Sequence, residues 1–189
     1  LLTLWVCGYI DLYFCDESGF TLQPYIPYAW QKKGQTIRLF ARNKRHRLNV
    51  LGFMSLDNRL HVYHTEKSVD AAFVQQCLES FLAIAISKGK PLVIVWDNSP
   101  THHAKSLTEN IGKWEQLNAF FFYLPKYSPH LNPIEIMWRR VKYMWLNKEH
   151  YKSWTTLKKA IFAIFKGFGS TFSINFNELV NTNISFNSA

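Results

Sequence analysis

The chain has 189 residues, a length suited to one domain or to one domain with a tail. Apolar residues make up 48% of it and aromatic residues 16%, enough for a packed core and too much for wholesale disorder. Lys and Arg number 22 against 13 Asp and Glu, and the resulting formal charge of +9 favours a polyanionic partner. The three cysteines, Cys7, Cys15 and Cys77, are odd in number and lack CxxC spacing, which argues against both a disulfide framework and a zinc site. They read as small core residues of a protein kept in a reducing compartment. The opening run from Leu1 to Phe14 carries Asp11 and is too short to span a bilayer, so it reads as a strand. No other stretch has the length of a membrane segment or the pattern of a targeting signal.

In chain order, YIDLYFCD (9–16) alternates so that Ile10, Leu12, Phe14 and Asp16 share one face, the period of a strand. Gly19, Pro24 and Pro27 then break the chain, and a short strand is expected around 29–32. A second strand covers 47–56, and the turn pair Asp57-Asn58 returns it as a hairpin through 60–64. Ser68 is placed to cap a helix reaching about Ser87, with Phe73, Cys77, Phe81 and Ile84 at helical spacing. LVIVW (92–96) is a continuous apolar run of the kind buried on both sheet faces. A helix over 104–117, a buried strand over 119–124 and a loop over 125–131 follow. Asn132 as cap and Pro133 at the first position open a helix to about Leu146, and another fills 155–168. From Gly169 the chain is rich in Asn and Ser and is expected to pack loosely. The pattern is an α/β domain over 1–168, a mixed sheet with helices on both faces, followed by a tail over 169–189.

Three carboxylates occupy positions where such sheets do chemistry. Asp16 and Asp97 each follow an apolar strand and precede turn-prone residues, at the carboxyl ends where ligands of open α/β sheets bind. Two ionised carboxylates on neighbouring strands repel unless protonated or bridged by a cation. Glu135, one turn into a helix, supplies a third oxygen donor. Oxygen-only ligands suit Mg²⁺ or Mn²⁺ and suit zinc poorly. Taken one at a time, each acid also has a plain structural role. An Asp after a strand is a turn former or helix cap, as Asp57 and Asp70 are expected to be, and Glu135 can close a capping box or pair with Arg139.

The local contexts join these acids into one pattern. FCDESGF (14–20), WDNSPTHHA (96–104) and LPKYSPHLNPIEIMW (124–138) resemble the three catalytic blocks of mariner-like DDE transposases, in their bacterial insertion-sequence branch. The resemblance runs from about residue 9 to 165. It implies a ribonuclease H-like fold, with Asp16, Asp97 and Glu135 as catalytic ligands of two Mg²⁺ or Mn²⁺ ions. It further implies hydrolysis at transposon ends and transfer of the freed 3′-hydroxyl to target DNA, by a homodimer on double-stranded DNA in the bacterial cytoplasm and nucleoid. Asn98 and His102 match polar positions after the second Asp, where they support the site, against plain roles as a turn former and a helix-start hydrogen bond. Asp97 and Glu135 stand slightly farther apart than is commonest, with 37 residues between them. The helix-turn-helix modules that precede the catalytic domain in the family are absent from this sequence. Two other readings share the pattern: a different ribonuclease H-like metal nuclease or integrase, and a non-catalytic DNA-binding module derived from a transposase.

Basic residues cluster close to the first acid. Lys32, Lys33, Arg38, Arg42, Lys44, Arg45 and Arg47 fall in one stretch without compensating acids, suited to tracking a phosphate backbone. Arg139 and Lys142 share a helix face with Glu135 at spacings of four and seven, so they are expected to flank the scissile phosphate. Ile134, Trp138, Val141 and Trp145 form the opposite, apolar stripe.

Overall fold

A computed structural model describes residues 1–24, 32–34, 46–86, 89–97, 105–126 and 128–177. Five strands form one mixed sheet in the order β3-β2-β1-β4-β5: β1 Asp11–Thr21, β2 Arg47–Met54, β3 Leu60–Thr65, β4 Leu92–Trp96 and β5 Ala119–Tyr123. β1, β2 and β3 pair antiparallel, while β4 pairs parallel to β1 and to β5. The helices are α1 Leu2–Val6, α2 Ala71–Ala85, α3 Lys105–Thr108, α4 Ile111–Gln116, α5 Ile134–Arg140 and α6 Trp154–Lys166.

Strand alternation sorts the core into two clusters, one on each face. Tyr13, Cys15, Leu51, Phe53, Ile94 and Trp96 pack against α2 and α4 through Val74, Leu78, Phe81 and Trp114. The residues between them, Leu12, Phe14, Val50, Met54, Val93 and Val95, pack against α5 and α6 through Ile134, Met137, Trp138, Leu157, Ile161 and Phe165. This is the expected α/β sheet with helices on both faces, and it has the ribonuclease H-like arrangement.

Several local expectations give way to longer-range contacts. The N-terminal residues form α1 rather than a strand, ended by Gly8 at φ +75°, and Cys7 is exposed rather than buried. α2 is capped by Asp70, whose Oδ1 accepts from Phe73 N at 2.8 Å, and not by Ser68; Ile84 lies 66% exposed, off the buried stripe. The helix expected over 104–117 is two short helices with a break at Glu109–Asn110. Phe120 and Phe122 are 39% and 47% exposed, because β5 is the sheet edge and only one of its faces is covered.

The helix after Pro133 does run to Trp145, but α5 passes into a π-helical turn, Val141–Trp145, closed by Leu146 N to Val141 O at 3.0 Å. The chain after α6 is also better anchored than its composition implies. Ile174 and Phe176 are buried, and Asn58 holds Ile174 through both its amide groups, at 2.8 and 3.0 Å. The strand expected around 29–32 lies almost wholly outside the described residues, as do 178–189.

Candidate active site

β1 continues past Asp16 to Thr21, so Asp16 stands inside the strand rather than at its end. Its parallel neighbour, β4, ends close by. The last rung of the β1–β4 ladder is Phe14↔Val95, and β4 ends at Trp96. Asp16 and Asp97 each lie two residues beyond that rung, where β4 leaves β1, and the charge of Asp97 acts on Asp16. Strand alternation puts Asp16 on the face of Phe14, the face that α5 crosses. Beyond this point β1 has only β2 beside it, and Asp16 is the partner of Gly52.

Glu135 reaches that face because α5 packs on β1 and β2 through Ile134, Met137 and Trp138, all buried. Asn132 does not cap α5. Its Nδ2 donates to the carbonyl oxygen of Cys15 at 3.1 Å, a buried bond that ties the start of the helix to the residue before Asp16. Asn132 Oδ1 is buried without a hydrogen-bond partner among the described residues.

The electrostatics follow from this crowding. Asp16 is 8% exposed. Burial, then the charges of Glu135, Glu17 and Asp97, pushes its carboxyl well above the usual carboxylate range. Burial, with help from Glu17, Asp16 and Asp97, likewise pushes the Cys15 thiol up, so Cys15 is an inert core residue on the opposite face. A carboxylate that repels its neighbours in a half-dry site is suited to a cation. The donors are all oxygens, as Mg²⁺ or Mn²⁺ prefers. Among the described residues no group of three or more acids, thiols or imidazoles is placed to hold a metal ion, Asp16, Asp97 and Glu135 included.

Cations flank the acids. Lys142 lies on the π-helical turn, half-buried, with its Nζ 5.5 Å from the centre of the Phe20 ring. Burial and the nearby charge of Arg47 lower its pKa, while Glu135 and Asp16 pull it the other way, which places all four groups within electrostatic reach. Arg47, exposed at the start of β2, donates from Nε to Asn49 Oδ1 at 2.6 Å. A cleft of about 520 Å³ lies beside Arg47, lined by Glu17, Gly19, Asn49 and Lys67 among others and by none of the three acids. Arg139 is exposed on α5, and Lys32 and Lys33 are exposed in the short described stretch 32–34. Asn98, His102, Arg38, Arg42, Lys44 and Arg45 lie outside the described residues.

The structure brings Asp16, Asp97, Glu135, Arg47 and Lys142 within electrostatic reach of one another, and adds the Asn132 bond and the close packing over Gly52, neither of which was expected from the sequence. A helix-cap pattern concealed the first. The second carried a usable signal, a glycine in the middle of a strong strand.

A five-stranded mixed sheet in the order β3-β2-β1-β4-β5, with helices on both faces, is the ribonuclease H-like fold. The chain belongs to the DDE superfamily endonucleases, whose family model matches residues 11–158. Among solved structures it is similar to a pre-cleavage Mos1 transpososome, with a TM-score of 0.62 and 18% identity over 93% of this chain and 53% of that one. The Mos1 strand transfer complex gives 0.58 and 19%, covering 87% and 50%. The Mos1 mariner paired end complex with Mn gives 0.59 and 18%, covering 88% and 52%. At these identities the likeness is one of fold, and the chain spans about half the length of those structures. A search of curated proteins finds no match.

Proposed function

We propose that this chain is the catalytic domain of a DNA transposase of the mariner-like superfamily, in its bacterial insertion-sequence branch. In this reading it hydrolyses phosphodiester bonds at transposon ends and joins the freed 3′-hydroxyl to target DNA. The observation that supports the reading best is Asp16, buried on the face that α5 crosses and within electrostatic reach of both Glu135 and Asp97. The complexes of Mos1, on the same fold, supply the precedent for strand transfer and for manganese.

Asp16, Asp97 and Glu135 are the residues that would hold two Mg²⁺ or Mn²⁺ ions. Such ions, when bound, supply Lewis acidity at the phosphate and ease loss of the proton from the attacking hydroxyl. The protein's own part is placement. Asn132 and the apolar side of α5 fix Glu135 over the strands. Lys142 sets a positive charge beside the acids, where a phosphate oxygen would sit. Arg47, Lys32, Lys33 and Arg139, with Arg38, Arg42, Lys44 and Arg45, track the DNA backbone, and Asn98 and His102 support the second acid. A homodimer on DNA holds two transposon ends. The catalytic unit spans 1–168.

The test is cleavage and joining of transposon-end DNA by the native protein and by Asp97→Asn, with Mg²⁺ or Mn²⁺ and with chelator. Metal-dependent cleavage and joining, both lost in Asp97→Asn, is the expected result. Cleavage that never joins ends points to another nuclease of the fold. DNA binding without cleavage under any condition points to a non-catalytic module.

A further inference from the structure

We infer that Gly52 is a positioning residue that sets the height of the Glu135 helix above the sheet; the inference rests on the catalytic reading of Asp16 and Glu135. Gly52 lies in the middle of β2 as the register partner of Asp16, on the same face. No backbone requirement explains a glycine there. Its φ is not among the positive ones, and the ladders to β1 and β3 run through it without a bulge. What needs the glycine is the space over it. A Cβ at this position would lie 2.8 Å from Cζ2 and 2.9 Å from Cη2 of Trp138, and 3.1 Å from Cδ1 of Ile134. Carbon atoms in contact keep about 3.5–4.0 Å. The edge of the Trp138 ring and the Ile134 methyl therefore occupy the volume of the missing side chain.

Neither residue has room to turn away. Ile134 is 0% and Trp138 2% exposed, and the Trp138 ring is held edge-on by Phe20 and Phe165, with centroids 6.4 and 6.1 Å away. Any side chain at Gly52 must then lift α5. The start of the helix is pinned to β1 by Asn132, so the lift tilts the segment that carries Glu135. Glu135 lies between the two residues seated on Gly52, and it is drawn away from Asp16. A functional constellation tolerates about 0.5 Å of such error.

Four proteins test this: native, Gly52→Ala, Trp138→Phe and the double variant. Mn²⁺ affinity is read by electron paramagnetic resonance, folding by thermal melting and geometry from crystals of the metal-free proteins. Gly52→Ala should stay folded and bind Mn²⁺ about 10- to 100-fold more weakly, the loss usual when a group that orients metal ligands is disturbed. Its Glu135 to Asp16 separation should lengthen by about 0.5–1 Å. Trp138→Phe removes the crowding ring edge, so the double variant should bind Mn²⁺ within about threefold of Trp138→Phe alone, a difference of under 0.7 kcal/mol. Native affinity in Gly52→Ala overturns the inference, and so does a loss that Trp138→Phe does not recover. If Gly52→Ala does not fold, the double variant against Trp138→Phe decides the matter. Equal affinity supports the inference, and weaker binding or failure of the double to fold overturns it. If Asp97→Asn leaves Mn²⁺ binding and cleavage unchanged, the catalytic reading fails instead. The Glu135 to Asp16 separation in the metal-free crystals still decides the role of Gly52.

Discussion

The two faces of the sheet share strands and alternation but differ in what they give up. On the α2 face the middle positions Tyr13, Cys15, Leu51, Phe53, Ile94 and Trp96 are apolar, and aromatic rings stack tightly, with Phe53 on Phe81 at 4.1 Å between centroids. On the α5 face the same alternation runs Leu12, Phe14, Asp16 on β1 and Val50, Gly52, Met54 on β2. An acid replaces a core side chain on one strand, and its neighbour has no side chain at all. The first face is organised for stability. The second sacrifices burial at one spot so that a helix can bring a third acid close, the kind of local concession proteins make where they act.

The largest contrast should come from exchanging damage between the faces. Asp97→Asn is expected to reduce metal-dependent cleavage by about 10⁴-fold, roughly 5.5 kcal/mol of barrier, while the melting temperature barely falls. Phe81→Ala on the other face should do the reverse. Truncating that ring should cost about 3–5 kcal/mol of stability, measured by denaturant unfolding, and leave Mn²⁺ affinity of the folded protein unchanged. If Phe81→Ala weakened Mn²⁺ binding as much as Asp97→Asn, the division of labour between the faces would be wrong.

A smaller effect has its sign set by Asp16. Its carboxyl titrates above the usual carboxylate range because of burial and the charges of Glu135, Glu17 and Asp97. Between the ordinary carboxylate pKa and the raised one, the native state keeps a proton that the unfolded chain has released. Stability of the metal-free protein therefore falls as pH rises through that window. Asp16→Asn should flatten this slope and raise stability at neutral pH by about 1–2 kcal/mol, seen in melts with chelator. Native Mn²⁺ affinity should rise with pH over the same window, because the metal must displace that proton. A steeper slope in Asp16→Asn would contradict the electrostatic account. The smallest effect is at the α2 start, away from both contrasts. Asp70→Ala should cost about 1 kcal/mol in stability with cleavage unchanged.

Much of this was readable in the chain because local and global preferences agreed. LVIVW is buried on both faces and pairs on both edges, as a continuous apolar run requires. The hairpin of β2 and β3 has its turn at Asp57-Asn58, where Asn58 adopts φ 65°. The family was legible because three blocks of the chain resemble it, and Asp57 and Asp70 took the structural roles expected of them. Reasoning failed where a distant partner overrules a local pattern. Asn132 has the sequence position of a helix cap, yet its amide is used 117 residues away on Cys15. Asp16 marks where β4 leaves β1, an event that the sequence of β1 alone cannot announce. Phe120 and Phe122 look like core, but their exposure depends on which strand ends the sheet. Apolar residues at 1–6 satisfy helix and strand periods equally well over so short a run.

The central claim is that Asp16, Asp97 and Glu135 jointly hold divalent metal, and an anomalous-scattering map from crystals soaked in Mn²⁺ tests it most directly. Two manganese peaks about 4 Å apart among the three carboxylates are predicted, and both should vanish in Asp97→Asn crystals. Well-ordered carboxylates more than about 8 Å apart, with no manganese between them, would contradict the account, since two ions so spaced could not be shared by all three acids.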